Sequence, residues 1–294
     1  MKVGAVVLQY RRWPETGEVI DRLLGGSRRP DLMVVVDNAS RDGSPAAIRD
    51  AYGIDVIESE DNLGYAGGMN LGTARLLDRG AEAVLLLTHD CLLAPEALAA
   101  LESRLVERPS VGVVGPLTGY RSAPDTVFSA GCRIEPRTWE MVLDEDPNQI
   151  AAWKGRPVES AQWMPGSCLL IRAEALRAAG PLDEKFFLYF EEVDYQLRLR
   201  RLGWEIECVP SAVAWQEPGV IPLELWVRSR LRFLLRNAPR SVLLREFARQ
   251  ARRVLGEVRA RQFGRAGARV RGVVRFTLGR WGPIPVERAA HLKR

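Results

Sequence analysis

The chain has 294 residues, 47% hydrophobic and 27% charged, which excludes a disordered protein and suits one large or two modest domains with a real core. No apolar run approaches the roughly 18 residues of a membrane span. The run that opens the chain ends at Gln9-Tyr10-Arg11-Arg12, too short for a secretory signal. The net charge of +5 is unevenly spread: residues 221–294 carry 18 Arg and 1 Lys against 4 Glu, whereas residues 1–220 carry 23 basic and 33 acidic residues. Two regions of opposite sign do different jobs. The four cysteines (Cys91, Cys132, Cys168, Cys208) form no CxxC pair, so they are expected to be buried thiols in a reducing, cytoplasmic compartment.

Residues 3–8 form a short apolar run rich in β-branched residues, the pattern of a buried parallel strand. A helix is predicted over 15–24, ended by Gly25-Gly26, then a strand over 31–37, a helix over 46–52 and a strand over 54–57. Residues 67–79 are read as a helix stopped by Gly80, 83–87 as a fourth strand, 95–107 as a helix and 111–114 as another strand. Strands alternating with helices predict an α/β fold with a parallel sheet covered on both faces. The ligand edge then lies just after Leu8, Val36, Ile57 and Leu87. Residues 116–162, rich in Pro, Gly and Trp with weak periodicity, are read as a variable excursion near an acceptor site. Regular structure resumes with a strand over 168–171 and a helix over 192–202.

Four constellations carry chemistry. Asp37 closes an apolar strand and opens a turn that includes Asn38, Ser40, Asp42 and Gly43. Such an Asp can accept from a pyrimidine ring N–H or a ribose hydroxyl, and an Asx-type turn capping a helix fits equally well. Next come Asn62, Gly67, Gly68 and Asn70, a Gly-rich stretch running into the helix expected from Gly67, whose glycines permit close backbone approach and whose following N–H groups suit an anion; a plain Gly-rich loop is the common alternative. Asp90, after Thr88-His89, leaves a buried strand where a carboxylate can hold Mg²⁺ or Mn²⁺ against a diphosphate, although an Asp so placed is on its own more often a cap. Finally, Glu191, Glu192 and Asp194 follow an aromatic stretch read as a strand, and like charges this close raise at least one pKa, which suits a general base.

In this order, the stretches VVVDNASRDGS, NLGYAGGMNLG and GSCLLIRAEALRAAGPLDEKFFLYFEEVDYQLRLRRLGWEIECVPSA resemble the family 2 glycosyltransferases of GT-A fold, especially rhamnosyltransferase-like members that extend lipid-linked cell-wall or surface-polysaccharide precursors. The resemblance runs from Val3 to about Pro239. It implies a GT-A catalytic domain over 1–220 followed by a basic helical extension over 221–294. It also implies that Asp37 binds the base of a UDP- or dTDP-sugar, with Leu8 and Tyr10 beside it and Asn38, Ser40 and His89 nearby. Asn62, Gly67, Gly68 and Asn70 would line the sugar-nucleotide pocket, with Gly166 and Ser167 at the donor–acceptor junction. Asp90 would be the last acid of a DxD-like metal motif, and Glu192 the base of an inverting displacement. Two positions depart from the pattern: Thr88 replaces the first acid of the motif, and Gln216 stands where relatives have a metal-binding His.

The Arg-rich stretch 223–262 interleaves Arg with Leu225-Trp226-Val227, residues 231–235 and residues 242–245. An anionic membrane surface fits this pattern best, which would put the protein on the inner face of the plasma membrane; nucleic acid is not expected as a partner, and a homodimer fits as well. Two rival functions are a non-catalytic sugar-nucleotide-binding module and a dinucleotide-dependent enzyme, the latter opposed by the lack of GxGxxG after the first strand.

Overall fold

The structure, a computed structural model, describes residues 1–143, 146–284 and 291–292, so the end of the extension and two residues of the 116–162 excursion lie outside the described residues. The chain runs β1 (Val3–Gln9), α1 (Trp13–Leu24), β2 (Leu32–Asp37), α2 (Ser44–Tyr52), β3 (Asp55–Glu58), α3 (Gly64–Asp78), β4 (Ala83–Thr88), β5 (Leu92–Leu93), α4 (Ala97–Glu107) and β6 (Val111–Tyr120). It continues with β7 (Thr126–Ser129), β8 (Cys132–Ile134), β9 (Met141–Leu143), β10 (Asp146–Gln149), α5 (Ile150–Lys154), β11 (Glu159–Ser160), β12 (Cys168–Arg172) and α6 (Ala173–Ala179). After a 3-10 turn at Glu184–Phe186 come α7 (Glu191–Arg201), β13 (Glu205–Gln216), β14 (Ile221–Pro222), α8 (Leu223–Asn237), α9 (Arg240–Arg259), α10 (Phe263–Thr277) and β15 (His291–Leu292).

One sheet of 11 strands dominates, with the order β10-β7-β6-β12-β4-β1-β2-β3. Strands β3, β2, β1 and β4 are mutually parallel, while β12 joins β4 and β6 antiparallel. The period of two along β1 sorts its side chains: Val3, Ala5 and Val7 pack with Val19, Ile20 and Leu98 on one face. Val6 and Leu8 pack with Met69 and Leu76 of α3 on the other. Both faces are therefore buried, which is why these strands read as continuous apolar runs. Register brings Gln9 opposite Asp37 and Leu8 opposite Thr88, so the carboxyl ends of β1, β2 and β4 form one edge.

Three expectations are corrected. The helix expected from Gly67 begins at Gly64, so the glycines belong to the first two turns of α3 and not to a loop ahead of it. A Cβ on Gly68 would stand 2.4 Å from Leu8 Cδ1, so this glycine lets the helix close onto β1. The excursion carries several short strands: β6 continues to Tyr120, and β7 and β10 extend the sheet. The aromatic stretch before Glu191 is a 3-10 turn and a series of bends, not a strand.

The C-terminal helices are also less peripheral than their charge suggests. Leu225, Val227, Leu231, Phe233 and Leu234 of α8 are buried, and Phe233 and Leu234 share a core with Trp163, Phe186 and Phe190. The apolar residues of α8 expected at a membrane are therefore mostly core. Among the described residues no helix is long and apolar enough to cross a membrane.

Gly64 starts α3 at φ +70°, and a Cβ there would lie 2.0 Å from the carbonyl oxygen of Phe187. Gly64→Ala is expected to cost roughly 3 kcal/mol, from left-handed strain plus a backbone clash. A thermal-unfolding midpoint lowered by about 5–10 °C would meet this expectation, and an unchanged midpoint would refute the packing argument.

Candidate active site

The site is built on the carboxyl edge of β1, β2 and β4. Gln9 is fully buried at the end of β1, and its Nε2 donates to Asp37 Oδ1 at 3.1 Å, Ser40 Oγ at 3.2 Å and Ser44 Oγ at 2.5 Å. Its Oε1 accepts from the Arg12 N–H and the Thr16 hydroxyl. Asp37, 2% exposed, accepts on its other oxygen from the Ser40 N–H at 3.0 Å. This is a fully bonded buried network, which fixes the geometry of the turn after β2. Asn38 extends it: its side chain accepts from the Leu63 N–H and donates to the Gly64 carbonyl, bracing the first turn of α3. Tyr10 lies outside the strand at the rim, with the Arg11 guanidinium 5.0 Å from its ring centroid.

Beside this edge lies a cavity of about 350 Å³, lined by Tyr65, Thr88, Gly166, Ser167, Glu191, Glu192 and Gln216 on its polar side. Phe128, Met141, Trp163, Tyr189, Phe190 and Trp226 supply an apolar, largely aromatic wall. Because β12 runs antiparallel to β4, the Thr88 N–H donates to the Ser167 carbonyl at 3.0 Å, which seats Gly166 and Ser167 against the strand edge. Gly166 is tight: a Cβ would come within 3.1 Å of both Glu192 Cβ and Tyr65 Oη. The Tyr65 hydroxyl in turn donates to the Gly166 carbonyl.

Glu191 and Glu192 open α7, each with Oε2 buried and without a hydrogen-bond partner among the described residues. Burial pushes the Glu192 carboxyl up to about 7. Burial and the neighbouring Glu192 push Glu191 well above the ordinary carboxylate range, partly opposed by the nearby Arg228 guanidinium. A carboxylate tuned near neutrality, facing a cavity, is chemically a general base. Asp194 is different. Two residues on, it lies about 200° around the helix from Glu192. It is buried against α8, where Arg236 Nε and Asn237 Nδ2 donate to Oδ1 at 2.9 and 2.7 Å. The three acids that are contiguous in sequence are therefore split, with two facing the cavity and one fastening α8.

The pair is delivered by a turn of unusual backbone. Phe187, Tyr189 and Phe190 all have positive φ, at 67°, 71° and 73°. Left-handed backbone is costly for bulky side chains and persists only where the surroundings enforce it. Here α8 and α3 enforce it. Arg228, 0% exposed, donates to the Phe186 carbonyl at 2.8 Å and the Gly282 carbonyl at 2.7 Å. Ser229 Oγ donates to the Leu188 carbonyl at 2.9 Å, and the Tyr65 N–H donates to the Phe187 carbonyl at 2.8 Å.

Asp90 is partly exposed just past β4, and its Oδ1 accepts from the Thr88 hydroxyl at 2.7 Å. Among the described residues no group of three His, Cys, Asp or Glu side chains could hold a metal ion. A single carboxylate such as Asp90 could serve a hard cation, Mg²⁺ or Mn²⁺, that takes its other ligands from phosphate and water.

Of the residues singled out in the sequence, Gly166, Ser167, Glu191 and Glu192 meet in the cavity. Asp37, Asn38 and Ser40 meet at the neighbouring strand edge, and Asp90 and His89 stand between the two, with the His89 N–H donating to the Leu8 carbonyl. Leu8, Gly67 and Gly68 are buried packing positions. Asn62 accepts from the Gly64 N–H, and Asn70 is tied to Leu182 and Glu184. Gln9, Tyr65 and Trp226 were not anticipated. Gln9 carried one signal, a polar residue ending an otherwise apolar strand.

The fold resembles solved nucleotide-sugar enzymes of GT-A type. The crystal structure of GalNAc-T7 with UDP, GalNAc and Mn²⁺ aligns with a TM-score of 0.60 at 14% identity, over 80% of this chain and 50% of that one. Mannosyltransferase PcManGT from Pyrobaculum calidifontis, in complex with GDP-Man and Mn²⁺, aligns with a TM-score of 0.56 at 17% identity, over 95% and 88%. The sheet thus has the GT-A fold. Residues 5–162 match glycosyl transferase family 2, and the chain belongs to that family. Its relatives include N-acetylglucosaminyl-diphospho-decaprenol L-rhamnosyltransferase of Mycobacterium tuberculosis, 28% identical over 70% of this chain and 73% of the relative. Galactofuranosyltransferase GlfT1 of the same species is 28% identical over 68% of this chain and 65% of its own length. The chain is a rhamnosyltransferase-like glycosyltransferase.

Proposed function

We propose that the chain moves a sugar, with inversion, from a UDP- or dTDP-sugar to a hydroxyl of a lipid-linked glycan precursor, on the cytoplasmic face of a membrane. The observation that carries this is Glu192: a buried carboxylate pushed up to about 7, beside Gly166 in a cavity that opens next to the nucleotide edge. The base of the donor lies against Asp37, whose position Gln9 and Ser40 fix. The acceptor enters the aromatic cavity. Glu192 takes the proton of the acceptor hydroxyl as that oxygen attacks the anomeric carbon. The bond from that carbon to the diphosphate oxygen breaks on the opposite side, and a single in-line displacement inverts the centre. Asp90 would hold Mg²⁺ against the diphosphate, where the cation offsets the charge of the leaving group. A relative named for a decaprenol-linked N-acetylglucosamine acceptor supports the lipid-linked substrate, and the basic extension supports work at an anionic surface.

The test is a thermal-shift screen with UDP-, dTDP- and GDP-sugars, with and without Mg²⁺ and Mn²⁺, followed by transfer of the best donor to a polyprenyl-diphosphate-linked sugar. A ligand at about 100 times its Kd stabilises by about 2.7 kcal/mol, a shift of several degrees. A UDP- or dTDP-sugar is expected to give that shift and a product of inverted configuration. A retained configuration, or a GDP-sugar as the only stabilising donor, would refute the proposal as stated.

A further inference from the structure

Among the described residues, the acids of the extension are used internally. Glu224 pairs with Arg271 and Arg275, Glu246 with Arg230 and Arg249, and Glu257 with Arg265 and Arg269. What remains on the outside of α9 is a line of apolar side chains beside a line of arginines. Leu244 is 68% exposed, Leu255 57% and Val258 44%, with Ala248 and Ala251 exposed between them. The spacings of 4, 3, 4 and 3 keep these five residues on one side of the helix. The buried positions Val242, Glu246 and Gln250 lie elsewhere around it, toward the protein. Arg245, Arg252 and Arg259 follow the stripe at intervals of seven, all exposed and none with an acidic partner among the described residues.

A 4-3 apolar stripe is also the seam along which two copies of a helix can pair. The flanks oppose that here. One flank is Arg245, Arg252 and Arg259, and the other is Phe247 and Val254, with no acid on either. An antiparallel pair would bring arginine against arginine, and in either orientation no acid on these flanks neutralises the charge. The partner that fits is anionic and apolar together.

We infer that the outer face of α9 lies in the plane of an anionic lipid bilayer, with Leu244, Leu255 and Val258 entering the acyl boundary and Arg245, Arg252 and Arg259 meeting lipid phosphates. This rests on the proposed work at a membrane surface and names the element that makes the contact. Its chemistry is that of an interfacial amphipathic helix, held by moderate apolar burial plus electrostatic attraction.

The experiment is co-sedimentation of the full chain with phosphatidylcholine vesicles, with and without about 30% phosphatidylglycerol, at fixed salt. The unaltered chain is expected to bind the anionic vesicles at least tenfold more tightly. The triple variant Arg245→Gln, Arg252→Gln, Arg259→Gln should lose on the order of a hundredfold, at roughly fivefold per arginine. The double variant Leu244→Ser, Leu255→Ser should lose binding with its charge intact. Equal binding by both variants and the unaltered chain overturns the assignment of α9. Sedimentation of the unaltered chain as a dimer that the serine variant dissolves, without vesicles, also overturns it and makes the stripe a contact between copies. The vesicles contain neither donor nor acceptor, so a failed transfer assay leaves this result standing. Equal binding of the unaltered chain to neutral and anionic vesicles removes the membrane reading and leaves transfer untouched.

Discussion

Glu192→Gln is expected to lower kcat by about a thousandfold while leaving donor affinity within about twofold, since a positioned general base contributes roughly 10²–10⁴. The amide keeps the size and burial of the side chain but cannot take a proton. Donor binding by titration calorimetry and single-turnover transfer separate the two effects; full transfer by the variant would remove Glu192 from the mechanism. The pH profile adds a second signature. With the carboxyl pushed up to about 7 by burial, transfer should rise with pH through that value, and the variant should lose this limb. Stability moves the other way. The folded carboxyl binds its proton more tightly than the ordinary value of 4.5, so its contribution is complete below that pH and is lost as pH rises through about 7. Glu192→Gln should therefore flatten the fall in stability between pH 5 and 7.

The second large effect belongs to Asp37. Asp37→Ala should weaken donor binding by more than about a hundredfold, because it removes the proposed acceptor for the base and leaves the Ser40 N–H without its buried partner, while the Gln9 amide keeps only Ser40 and Ser44. Such an orphan costs roughly 1–3 kcal/mol, so the midpoint of unfolding should also fall. Asp37→Asn separates the two losses. It keeps the shape and an acceptor oxygen but replaces a carboxylate oxygen with an amide donor, so the fold should survive while donor binding still drops about tenfold or more. Donor affinity in Asp37→Asn equal to that of the unaltered chain would show that the residue only shapes the turn.

The first four strands and the ligand edge were legible because both faces of β1, β2 and β4 are buried and each strand ends on a polar residue: Gln9, Asp37 and Thr88. The excursion was not legible, because β7 to β11 are two to four residues long and β11 pairs with β13, some fifty positions away, which leaves no local period. The aromatic stretch looked like a strand by composition. Its conformation is set by Arg228 and Ser229, more than forty residues downstream, and by α3. Likewise Asp194 could be separated from Glu191 and Glu192 only once its partners Arg236 and Asn237 were in view. The glycines of α3 were read for backbone freedom, whereas Gly68 serves the close approach of helix to strand.

The two halves of the site come from opposite ends of the chain. The edge proposed for the nucleotide is made by β1, β2 and β4, whereas Trp226 in the cavity wall comes from α8, and Arg228 and Ser229 of the same helix hold the turn that carries Glu191 and Glu192. Substitutions in α8 can therefore reshape what the cavity admits without disturbing the groups proposed to recognise the donor. A lineage could change acceptors by drifting in its last quarter while its first ninety residues stay under unrelated selection.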